Sequence, residues 1–136
     1  MTKRFFFISL LGTLLSMTVF ASIIKDGTLR ADPDGSYIKI RWESDNETGV
    51  AKYVLERKAG LNGSFMTLTE LAPKGNGSSY QFVDETVFRV SQTIYKYQVK
   101  VVFSDGQAPI YYGPITAIPR TSDVRRTWGS IKAMFR

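Results

Sequence analysis

The chain has 136 residues, 18 Lys and Arg against 12 Asp and Glu, a formal charge of +6, and neither Cys nor His. Without histidine it lacks the usual general base and the commonest metal ligand. Without cysteine it lacks a thiolate, so zinc sites and Ser-His or Cys-His catalysis are excluded. Stability must come from packing and strand pairing, since no disulfide can form.

Residues 1–21 carry the three-part pattern of an export signal. Lys3 and Arg4 form a basic start, Phe5 to Phe20 an apolar stretch, and Val19-Phe20-Ala21 offers modest side chains before a cleavage point at Ser22. An uncleaved anchor is the alternative reading. However, the stretch is short of a span of about 20 apolar residues, and Ser9, Gly12, Thr13, Ser16 and Thr18 interrupt it. No Cys follows it, which excludes a lipid-anchored form of the bacterial kind. Ser22 to Pro119 then holds 11 basic and 11 acidic residues, whereas residues 120–136 hold five basic residues against Asp123 alone. The basic excess is thus confined to a short tail, which argues against a domain-wide groove for nucleic acid.

Ile23 to Ala31 reads as a first edge strand, followed by a tight turn at Asp32-Pro33-Asp34-Gly35. Tyr37 to Glu43 has period-two alternation with Ile38, Ile40 and Trp42 inward. Ser44 to Gly49 is polar and turn-rich. Val50 to Lys58 is the third strand, with Tyr53, Leu55 and Arg57 on one face and Val54 and Glu56 on the other. Phe65 to Leu71 is a short fourth strand, and Ser79 to Val83 a fifth, with Phe82 inward and Asp84 closing it. Thr93 to Phe103 alternates again, with Tyr95, Tyr97, Val99 and Val101 inward. Ile110 to Ile118 is the last strand, bent at Gly113-Pro114. Seven short strands separated by regular turn signals predict an all-β sandwich over residues 22–119.

Four of these runs resemble the fibronectin type III modules, especially those of secreted bacterial surface proteins. Ile38-Lys-Ile-Arg-Trp42 is similar to that family's second strand with its buried Trp, and Tyr53-Val-Leu-Glu-Arg57 to its third. Tyr80-Gln-Phe-Val-Asp84 is similar to the fifth and Tyr95-Lys-Tyr-Gln-Val99 to the sixth. The resemblance implies a seven-stranded Ig-like sandwich and a corner in which the Tyr95 hydroxyl bonds upstream backbone. No Arg-Gly-Asp triplet is present, so the best-known adhesion signal of that family is missing.

Several residues invite a chemical reading. Trp42 in the inward register is expected in the core rather than as a stacking platform for sugar or peptide. The loop Glu43-Ser44-Asp45-Asn46-Glu47 gathers oxygen ligands of the kind calcium takes. It lacks the spacing of a calcium loop and reads as solvated, so neither a metal nor a cofactor is expected. The same carboxylates lie in no evident cleft and offer no raised pKa for acid–base work, so an enzyme is not expected. Tyr111 and Tyr112 are neighbours on a strand and must face opposite ways, leaving one available for contact. Asn46, Asn62 and Asn76 each begin a glycosylation sequon, relevant only in a eukaryotic secretory route.

After Pro119 the period changes from two to helical. Val124, Trp128, Ile131 and Phe135 fall on one stripe, with Arg125, Arg126, Lys132 and Arg136 off it. Gly129 weakens such a helix by about 1 kcal/mol relative to Ala. This segment is the candidate interaction face of the tail: it docks on the sandwich, lies on an anionic membrane or glycan surface, or serves as a sorting signal.

The sequence therefore predicts a secreted or extracytoplasmic, non-catalytic interaction or structural module at the cell surface, with a protein or glycan partner. Contacts would run through loops and unpaired edges, the first and last strands being candidates. The alternatives are an envelope- or membrane-associated targeting protein that acts through its tail, and a carbohydrate-binding accessory module.

Overall fold

A computed structural model describes residues 21–87 and 93–119. The expected signal, apart from Ala21, and the expected tail face lie outside the described residues. Seven strands follow in chain order: β1 (Arg30–Asp34), β2 (Tyr37–Glu43), β3 (Val50–Ala59), β4 (Met66–Leu71), β5 (Ser79–Asp84), β6 (Tyr95–Phe103) and β7 (Ile110–Ala117). They form two antiparallel sheets, one ordered β1-β2-β5 and the other β4-β3-β6-β7. The described residues contain no helix.

Alternation sets the packing. In the smaller sheet Ile40 stands opposite Phe82 and Trp42 opposite Tyr80; in the larger, Tyr53 stands opposite Val101, Leu55 opposite Val99 and Arg57 opposite Tyr97. Ile38, Ile40, Trp42, Tyr53, Leu55, Tyr95, Tyr97, Val99 and Val101 are all buried in one apolar cluster between the sheets. Phe82 only packs against the margin of that cluster. It is half-buried because β5 is an edge strand with no neighbour beyond it. A core of this kind supplies most of the domain's stability, at roughly 25 cal/mol per Å² of apolar surface removed from water.

The start of the domain differs from the expected pattern. Ile23 and Ile24 are buried, but they do so as a segment crossing the end of β2: the Lys25 amide donates to the Glu43 carbonyl, the Asp45 amide to the Ile23 carbonyl, and Ile24 bridges Ser44. A turn at Asp26-Gly27 then separates this segment from β1. The first strand runs through Asp32-Pro33-Asp34, where turn residues had predicted a bend, and the turn falls two residues later at Gly35-Ser36. Pro33 is tolerated because β1 is an edge strand, where a missing amide need not cost a ladder bond.

On the last strand, the Gly113-Pro114 peptide is cis and the β6–β7 register shifts nearby, between Tyr97 and Val99. Gly113 has φ +103°, and a Cβ there would lie 2.9 Å from the Tyr97 carbonyl oxygen. Only glycine fits this close approach of two backbones.

Candidate functional site

Two buried carboxylates, one at each end of the sandwich, tie the sheets together. At the end where β2 leaves its sheet, Glu47 turns inward from the β2–β3 loop and is only 7% exposed. Its Oε1 accepts hydrogen bonds from the hydroxyls of Tyr53, at 2.9 Å, and Tyr80, and its Oε2 accepts from the Gly75 amide at 2.6 Å. Its own amide donates to Asn76 Oδ1 at 2.7 Å. One side chain thereby joins β3, β5 and the loop before β5.

Burial alone would raise the Glu47 pKa, but the bonds from Tyr80, Gly75 and Tyr53 outweigh it and hold the carboxyl below its ordinary value. The tyrosines respond in the opposite sense. Burial and the neighbouring carboxylate push Tyr80 up to about 12 and Tyr53 higher still. The Tyr80 hydroxyl also accepts the Lys74 amide at 2.7 Å, which fixes the loop to the ring.

Above these hydroxyls the rings form a compact aromatic group. Trp42 stacks on Tyr80 with centroids 5.2 Å apart and planes 7° from parallel, while Tyr53 meets Trp42 edge-on at 5.8 Å. The indole Nε1 of Trp42 is buried and has no hydrogen-bond partner among the described residues. Trp42 is 1% exposed and Tyr80 2%, so neither ring is available as a stacking platform for a ligand.

The opposite end is held by Asp84, 2% exposed. Its Oδ2 accepts from Arg57 at 2.7 Å and from the Tyr97 hydroxyl at 2.9 Å, and its Oδ1 from the hydroxyl and amide of Thr86 at 2.7 and 3.0 Å. Burial opposes ionisation here too, but Thr86, Arg57 and Tyr97 together hold Asp84 below the usual carboxylate range. Burial and Asp84 push Tyr97 well above its ordinary value. Arg57 also lies 5.4 Å from the centre of the Tyr95 ring, so its cation is sandwiched between a carboxylate and an aromatic face.

Outside the core, an open groove of about 550 Å³ lies on the smaller sheet. Trp42 and Tyr80, both buried, lie among its lining residues, and the Lys74 ammonium sits 4.9 Å from the centre of the Tyr80 ring. Arg30, Arg41 and Lys74 line it together with Glu43, Thr28 and Gln81. Arg41 is paired with Asp32, and Lys74 reaches the Ser79 carbonyl at 3.0 Å. Arg30 makes no ion pair among the described residues. With Arg41 already paired to Asp32, Arg30 and Lys74 are the cations there with no ion pair among the described residues, and with hydroxyl and amide groups between them they suit an anionic group on a ligand.

The oxygen-rich loop Glu43 to Glu47, expected to be solvated, is split between surface and core. Glu43 faces outward and pairs with Lys25 at 3.6 Å, whereas Glu47 points into the core. No group of three or more acidic side chains converges among the described residues. Tyr111 is exposed, and Tyr112 packs against the core, where its hydroxyl accepts the Ile23 amide at 3.0 Å.

The role of Glu47 and the cross-sheet role of Asp84 escaped the sequence because Tyr80, Gly75, Arg57 and Tyr97 arrive from other segments; only Thr86, two residues on, is local to Asp84. The single legible hint was Arg57, a cation in an inward register that requires a buried counter-charge. No family model, curated protein or solved structure matches this chain.

Proposed function

We propose that the protein is an exported, non-catalytic contact module of the fibronectin type III kind, acting at the cell surface or envelope on a protein or glycan partner. One observation carries this reading: both buried carboxylates are already spent on joining the two sheets. Glu47 accepts from two tyrosine hydroxyls and a backbone amide, and Asp84 from four donors. Their depressed pKa values suit permanent acceptors, the opposite of the raised carboxyl that a general acid needs.

The division of seven strands into β1-β2-β5 and β4-β3-β6-β7 supports the family reading. The leader-like residues 1–21 support export. Contact then falls to surface features, of which the Arg30–Arg41–Lys74 groove has the clearest shape.

Cell fractionation with mass analysis of the recovered protein tests the address. A chain beginning at Ser22 outside the cytoplasm is expected, and a cytoplasmic chain retaining residues 1–21 refutes export. Cross-linking capture from envelope extract tests the contact. Arg30→Glu with Lys74→Glu should abolish capture by the folded protein, and unchanged capture refutes the groove as the contact surface.

A further inference from the structure

The end of the larger sheet beyond Arg57 brings together features that nothing above uses. Lys58 stands directly opposite Lys96 across the β3–β6 ladder. Like charges placed this way repel and weaken a sheet, and neither lysine has an ion pair among the described residues. The Lys58 ammonium lies 5.6 Å from the centre of the Phe65 ring, which keeps the cation on this end of the sheet.

Exposed apolar side chains collect at the same place. Leu61, in the β3–β4 connection, is 70% exposed, Met66, opposite Arg57 at the start of β4, is 72% exposed, and Ile118, just past β7, is 54% exposed. Pairing puts them together: the Gly60 amide bonds the Ile94 carbonyl, and Tyr95 faces Ala117, so Leu61 and Ile118 flank the start of β6. The described domain ends here, and residues 120–136 that follow in the sequence carry five basic residues and one acid. Asp34 and Glu85 are exposed on the smaller sheet at this end, whereas on the larger sheet Glu56 shares the outer face with the two lysines and accepts from Gln98, so the excess of cations belongs to the larger sheet.

We propose that this end of the sandwich, formed by the β3–β4 hairpin, the start of β6 and the end of β7, is a contact face for an anionic lipid bilayer. The lysine pair supplies attraction to acidic headgroups. The apolar tips decide between possible polyanions. Leu61, Met66 and Ile118 gain nothing against a hydrated acidic polysaccharide but lose water-exposed surface at a bilayer interface. Lysines flanking apolar tips are arranged to place their ammonium groups at headgroup level. The groove on the smaller sheet lies near the other end of the molecule, by Glu43 and Ser79, and stays open when this end rests on lipid. The inference deepens the contact-module reading and rests on it.

The test is vesicle flotation of the chain from Ser22 to Arg136, which contains every described strand. Vesicles of phosphatidylglycerol with phosphatidylcholine are compared with phosphatidylcholine alone, and dextran sulfate beads are run in parallel. Flotation with the acidic vesicles only, reduced by salt, is expected. Lys58→Ala with Lys96→Ala should weaken it roughly 30-fold, from about a fivefold loss per lysine near an acidic surface. The same variant should melt no lower than the parent, because a repulsive pair has been removed; a purely structural pair of lysines would not behave so. Leu61→Ser with Met66→Ser should weaken flotation while leaving its salt dependence unchanged.

Wild-type flotation by both double variants overturns the proposal, even where deletion of residues 120–136 abolishes binding, because the tail then acts alone. Flotation with neutral vesicles to the same extent also overturns it. Retention on dextran sulfate without flotation overturns it while leaving the contact-module reading standing. That reading fails separately, by fractionation.

Discussion

Asp84→Asn isolates the clamp at the β5 end without changing its shape. The asparagine oxygen can replace Oδ1 and keep both bonds from Thr86, which places the new amide where Oδ2 received Arg57 and Tyr97. The Tyr97 hydroxyl can rotate to accept from that amide, but a guanidinium has no acceptor to offer. Arg57 is therefore left facing a donor, with its side chain only 22% exposed and its counter-charge gone. Removing one member of a buried pair costs about 3–5 kcal/mol. The lower end applies here, because half the bonds survive and Arg57 keeps its contact with the Tyr95 ring. About 3 kcal/mol is a large share of the roughly 5–15 kcal/mol that holds a domain folded. Urea unfolding, at a slope of about 1–1.5 kcal/mol per molar, should show a midpoint lowered by roughly 2–3 M. Tyr97→Phe should cost about 1.5 kcal/mol, and the double variant less than the sum, since both changes break one network. A loss below about 1 kcal/mol for Asp84→Asn, or strict additivity with Tyr97→Phe, would refute the clamp.

Stability should form a plateau bounded by both families of groups. Glu47 and Asp84 have folded pKa values below their unfolded ones, so their contribution is full above about pH 4–5 and fades as pH falls through the folded values. Tyr53, Tyr80 and Tyr97 are raised, so theirs is full below about pH 10 and fades above it; melting temperatures measured from acid to alkaline pH check both limbs. Trp42→Ala should cost about 3–5 kcal/mol in denaturant unfolding, whereas Trp42→Phe should cost under about 2 kcal/mol because no indole bond is lost. Gly113→Ala should lower stability by more than about 1 kcal/mol, since its methyl meets the Tyr97 carbonyl at 2.9 Å; an unchanged melting temperature contradicts the close approach.

The strands with two-sided logic were legible from sequence. β2 and β6 alternate because one face packs and the other is wet; β3 departs at Val54, buried on the opposite face from Tyr53 and Leu55, and the limits of β2, β3, β5 and β6 agree with the pattern to within two residues. β1 was misread because Asp32, Pro33, Asp34 and Gly35 are turn formers taken one at a time; pairing with β2 overrides that preference at three of the four. Ile23 and Ile24 have the composition of a strand and are buried, but apolar content does not distinguish a strand from a segment lying across the end of a sheet. Glu47 was indistinguishable from Glu43 and Asp45 by local sequence. What separates them is the arrival of Tyr53, Tyr80 and Gly75 from three other segments, which only the fold brings about.

The placement of the prolines has a consequence for how copies of this protein behave at high local concentration. β1 and β7 are the outer strands on one side of the two sheets, and each carries a residue with no amide hydrogen, Pro33 and Pro114. A second copy that tried to extend either sheet would meet a missing donor in the middle of the row it needs. On the other side, the β3–β4 pairing is broken by a register shift between Leu55 and Glu56, which twists β4 away from a flat approach. Three of the four exposed margins are thus poor templates for cross-β growth. Crowded copies can touch through side chains and stay separately folded, instead of zippering into a fibre.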